Sequence, residues 1–63
     1  MNSNIKKIND RADDLLASVR DMRRIIRNLE ADGVNTGKLV VDLEEADFLA
    51  YDLKNKIEGL IKE

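Results

Sequence analysis

The sequence predicts an all-α fold: an antiparallel, coiled-coil-like two-helix hairpin, with hairpins associating into a dimeric four-helix bundle or a higher helical oligomer. Three observations predict it. Apolar residues recur at heptad spacing along two long stretches. A short glycine-bearing break separates the stretches. Each apolar stripe is wider than a two-stranded coiled coil requires.

The first stretch carries Ile5, Ile8, Ala12, Leu15, Val19, Met22, Ile26 and Leu29, in alternating steps of three and four. That spacing puts them on one side of a helix. Ile5, Ala12, Val19 and Ile26 take heptad position a, and Ile8, Leu15, Met22 and Leu29 take d. Leu16 at e and Ile25 at g widen the stripe, as suits a helix with two neighbours. Asn2 or Ser3 can cap the helix, because a short side-chain oxygen accepts from the free amides of the first turn. The first helix is expected from about 3 to 32.

The break reads Ala31-Asp32-Gly33-Val34-Asn35-Thr36-Gly37-Lys38. Gly33 suits the left-handed position just past a helix end, with Leu29 and Val34 placed for the apolar contact of a Schellman motif. Asn35 or Thr36 can cap the second helix. A turn of 33–36 leaves the helices adjacent and antiparallel.

The second helix is expected from about 37 to 61. Leu39, Leu43, Ala46, Ala50, Leu53, Ile57 and Leu60 repeat the three–four stepping. Leu43, Ala50 and Ile57 are its a positions; Val40 and Ile61 at e and Leu49 at g widen the stripe. The acids Asp42, Glu44 and Glu45 are expected to gain from the dipole near the helix start. Gly59 is expected to weaken the last turn. One register sets Leu29 against Leu43, Ile26 against Ala46 and Val19 against Leu53, and a register one seam step away fits as well. In the first, large residues meet small ones in three layers. Arg23 and Asp47, both at e and at similar heights, are expected to pair.

With 63 residues, the chain is read as a single helical-hairpin domain, 1–63. A chain this short buries too little apolar surface to stand easily alone. Cys and His are both absent, so disulfides, thiolate metal sites and the commonest metal ligand are unavailable. No metal, cofactor or small-molecule substrate is expected, and association with a second chain is the remaining route to stability. A net charge of −2 argues against a generic polyanion binder. The chain has no Pro, which permits long helices. No stretch approaches the ~20 apolar residues of a membrane span, and no apolar run comes after Lys6 and Lys7 as in a signal peptide. Cytoplasmic location and no membrane contact are the expectation.

Four features stand outside the seams. Arg20, Arg24 and Arg27 share one helical face, with Arg23 beside them, and forked guanidinium donors suit phosphate or carboxylate. Without interleaved aromatics, this cluster reads more readily as a solvated face. Val41 and Phe48 occupy f, opposite the seam. With Tyr51 and Leu49 they form an apolar patch that reads as a protein-contact surface. The acids Asp42, Glu44, Glu45 and Asp47 lack the converging loop ligands of a cation site. The turn, ending Gly37-Lys38-Leu39, lacks the strand and length of a phosphate loop. Leu16, Ile25, Val40 and Ile61 are the expected oligomer interface.

In length and layout the chain resembles the dimeric RNA-binding hairpins that control plasmid copy number, which form four-helix bundles from two chains. That resemblance implies RNA binding, for which the Arg cluster would serve. Leu43-Glu44-Glu45-Ala46-Asp47 resembles the Ser-Gln-Glu-Leu-Asp motif of sporulation-type aspartyl-phosphate phosphatases at Glu45 and Asp47, and departs from it at the Ser and Gln positions. The residues support a non-enzymatic protein-binding module before RNA or DNA binding, or a purely structural assembly unit. An enzyme is not expected, since no nucleophile–base pair is evident.

Overall fold

The computed structural model describes residues 2–62. Met1 and Glu63, the ends of the expected domain, lie outside the described residues. Two helices, α1 (Ser3–Ala31) and α2 (Gly37–Lys62), pack against each other along their length. The long axis of 49 Å is close to the length of a 29-residue helix at a rise of ~1.5 Å per residue.

Local chemistry sets the helix ends. Asn2 caps α1, its side chain accepting from the Asn4 amide at 2.8 Å. At the other end Gly33 has φ of +88°. The Val34 amide donates to the Leu29 carbonyl and the Gly33 amide to the Glu30 carbonyl, both at 3.0 Å. This is the Schellman pair of bonds expected around Gly33. Thr36 stands at the head of α2, its carbonyl accepting from Val40. The Asn35 side chain accepts from the Gly37 amide. Both candidate capping residues therefore take part, but the Thr36 hydroxyl is buried without a partner.

One expectation near the start of α2 is corrected. No acid lies in its first turn. Asp42 comes too late to feel the dipole, whose effect falls off within one turn. At the far end α2 runs through Gly59 to Lys62. Ile57, buried just before it, anchors the last turns against the ~1 kcal/mol propensity loss of a glycine.

The largest correction concerns the seam. Buried positions are Ala12, Leu16 and Val19 on α1, and Leu43, Ala50 and Ile57 on α2. Ile5, Asn9, Arg23 and Ile26, with Val40, Asp47 and Lys54, are half-buried beside them. These are a and e positions. The expected d residues Ile8, Leu15 and Met22, with Leu39, Leu53 and Leu60, are exposed. Each stripe spans more than one neighbour can cover, and the hairpin takes its e side. There the polar residues complement each other: Arg23 meets Asp47 at 2.9 Å, and the Lys54 ammonium reaches Asn9 and Asp13.

The Arg23–Asp47 pair also indicates the register. Four residues back on α1 and three forward on α2, Val19 comes level with Ala50. One heptad further, Ala12 comes level with Ile57, and in the other direction Ile26 with Leu43. This is the register one seam step from the one that sets Leu29 against Leu43. It seats a large residue on Ala in two of three layers.

Two substitutions test these ends. A Cβ on Gly33 meets no atom within 4 Å. Gly33→Ala is therefore expected to cost about 1–2 kcal/mol through backbone conformation alone, read by urea denaturation. Thr36→Val removes a buried, unpartnered hydroxyl and no capping bond. It is expected to leave stability unchanged or raise it by about 1 kcal/mol. A loss of that size instead would show that the hydroxyl caps α2.

Candidate interaction surfaces

The hairpin presents three surfaces outside its seam. The first is the e and b flank, where the arginines of α1 meet α2. Arg20 donates to the Tyr51 hydroxyl at 2.6 Å, and its guanidinium lies 5.9 Å from the ring centroid. The hydrogen bond to the hydroxyl raises the Arg20 pKa above its ordinary value. Arg23 pairs with Asp47 across the helices, and Arg24 with Asp21 on its own helix. Arg27 lines a shallow groove with Arg23, Val40, Leu43, Glu44 and Asp47. The cluster is thus partly occupied: three of its four arginines have protein partners. The one on Arg20 is Tyr51, which position along α2 groups with Phe48.

Lys54 completes this flank. Its side chain is only 13% exposed, while its head bonds Asn9 and lies 2.7 Å from Asp13. The aliphatic stem covers the seam near Leu16 and the ammonium reaches water-facing acids. Apolar spacing does not single out Lys54, although its e position on an otherwise apolar flank is visible in the sequence.

The second surface is the outer side of α2. Phe48 is 71% exposed and Val41 60%. Together with Leu49, Glu44 and Glu45 they line one shallow depression. The structure gathers Val41, Phe48 and Leu49 and turns Tyr51 away to Arg20. An exposed phenyl ring beside two carboxylates offers apolar contact with an acidic rim. Among the described residues, no group of three or more acids is arranged to hold a metal ion.

The third surface is the d and g side of both helices. In an antiparallel pair, like heptad positions point to the same side of the contact. Ile8, Leu15, Met22 and Ile25 therefore share one face with Leu39, Leu49, Leu53 and Leu60. Each keeps between 43% and 63% of its surface open. Of the expected oligomer residues, Ile25 lies on this face and Leu16 does not. Leu16 is 8% exposed, inside the hairpin. Val40 flanks the seam half-buried, and Ile61 is exposed on the e side. Leu16 and Val40 lie inward because the seam runs along e, and the same rotation leaves the d residues outside. The complementary polar pairs at e, Arg23 with Asp47 and Asn9 with Lys54, are the signal in the sequence that locates this face.

The double duty of Lys54 can be separated by substitution. Lys54→Met keeps the stem and is expected to lose less than about 1 kcal/mol, since its acidic partners are largely solvated. Lys54→Ala opens the seam beside Leu16 and is expected to lose about 1–2 kcal/mol. Equal losses in thermal unfolding would assign the effect to charge.

Among the described residues, neither helix is long and apolar enough to cross a membrane. Compared with known proteins, the chain matches no family model, no curated protein and no solved structure.

Proposed function

We propose that this chain is a small non-enzymatic protein-binding module. It acts by docking a helix face on a partner protein, in the manner of a regulator, adaptor, chaperone or phage-type inhibitor. The observation that carries this reading is the outer side of α2, where Phe48 and Val41 stand exposed beside Leu49 within an acidic rim of Glu44 and Glu45. Aromatic side chains anchor interfaces because they bury much surface at little entropic cost. The rim adds a charge preference for a basic surround on the partner. Tyr51, held by Arg20, lies outside this patch.

The same reading includes association of hairpins into a four-helix bundle. The apolar d face supports it, since contiguous apolar surface of this extent on a small chain favours a covering partner. Nucleic-acid binding through Arg20, Arg23, Arg24 and Arg27 has less support, because three of these side chains spend donors within the hairpin.

Affinity capture from the native host tests the docking surface. A protein partner retained by the wild-type chain is expected to be lost with Val41→Ser, Phe48→Ser, while helicity and sedimentation stay unchanged. It is expected to persist with Arg24→Glu, Arg27→Glu. Retention by the first variant, or capture of nucleic acid that the second variant abolishes, would overturn the reading.

A further inference from the structure

We infer that the d and g face seats a second copy of this chain, across a twofold axis perpendicular to the helices. In that arrangement α1 lies along α1 of the second copy and α2 along its α2, with the two turns at opposite ends. The inference deepens the association proposed above, and it rests on that association by naming the face and the orientation.

The area of the hairpin fits one such partner. The chain exposes 5092 Å² for its 7.2 kDa. A compact monomer of that mass exposes roughly 4,100 Å². The excess, roughly 1,000 Å², is close to the ≈ 800 Å² that each side of a standard interface buries. Among the described residues, eight of the thirteen exposed large apolar side chains lie on this face.

The layers of the face also mirror themselves. On α1, Leu15 and Met22, and beyond them Ile8 and the half-buried Leu29, are symmetric about a point next to Ser18, as evenly spaced d positions are. On α2, Leu39 and Leu60, then Ala46 and Leu53, are symmetric about a point next to Leu49. The cross-helix pairs Arg23–Asp47 and Arg20–Tyr51 put these two points at the same height to within about one helical turn, ~5 Å. A single perpendicular twofold axis can therefore pass close to both, which is the condition for a self-complementary interface. Along α2, Ala46 then meets Leu53 of the second copy, and the small residue accommodates the large one.

Charge selects this orientation over the other twofold arrangement. Asp42 and Lys56 flank the face at opposite ends of α2, both at g. Antiparallel α2 helices bring Asp42 of each copy towards Lys56 of the other. Lys56 is exposed and bonds Asp52 on its own helix at 2.8 Å, so its other ammonium donors remain available. A twofold axis parallel to the helices would instead run α1 along α2 of the second copy. It would set Arg11 beside Lys56, and Asp42 beside Ile25. Leu49, at g, borders both this interface and the outer depression, which leaves Val41 and Phe48 for an outside partner.

The chain has no Cys, so a single introduced thiol reports position unambiguously. Ser18→Cys and Leu49→Cys are each treated with a bis-maleimide shorter than a helix diameter, ~10 Å. Each variant alone is expected to form a covalent dimer, with no mixed product when the two are refolded together. Arg27→Cys, on the opposite flank, is expected to remain uncrosslinked. Sedimentation of the unmodified chain reads association separately and is expected to give a dimer. A monomer would overturn the association itself. A dimer in which only mixed Ser18→Cys with Leu49→Cys products form would overturn the orientation. A dimer in which neither variant crosslinks, or only Arg27→Cys does, would overturn the face.

Discussion

A two-helix contact can cover only one narrow stripe of each helix, and the whole character of this hairpin comes from that limit. Each helix has apolar residues at a and d, with further ones at e and g. One neighbour cannot cover them all. The hairpin buries a and e, so most of d and g is left outside, with Leu29 and Ala46 half-buried. With few residues fully buried, the hairpin has little core of its own, and much of its apolar surface stays on the open side.

Polar residues decide which part of the stripe turns inward. Apolar residues at a, d and e are nearly interchangeable in burial energy, so hydrophobic matching alone leaves the rotation of each helix loosely specified. Arg23 with Asp47, and Lys54 with Asn9 and Asp13, are contacts that the rotation placing e inward brings together. Exposed ion pairs contribute little stability. Here their effect is on specificity: they select among arrangements that the apolar residues would otherwise tolerate. Ala12 and Ala50 then let the helices approach at two layers, opposite Ile57 and Val19.

The same choice distributes functional capacity around the molecule. The flank that carries the polar pairs is largely occupied, and most of the arginine cluster is absorbed there. The outer side of α2 keeps Phe48 and Val41 free beside two glutamates. The d and g face keeps a long apolar strip with mirrored layers. The outer patch of α2 and the d and g face are therefore separate surfaces, meeting only at Leu49.

Much of this is legible in the amino-acid order. The heptad stepping, the stop at Gly33 with its Leu29 and Val34 partners, the Asn2 cap and the Arg23–Asp47 pair all depend on residues close in sequence or on simple periodicity. Such local rules read directly from spacing because a helix fixes the angle between successive side chains. The seam at a and e is not legible in this way, and the places of Leu16, Val40 and Tyr51 are hidden with it. Their positions depend on how far each helix rotates about its own axis, which is a competition between distant residues that periodicity cannot rank. The amino-acid order determined two helices, their ends and the turn between them. Only the packing of one helix on the other decided which apolar face went inside and which was left open.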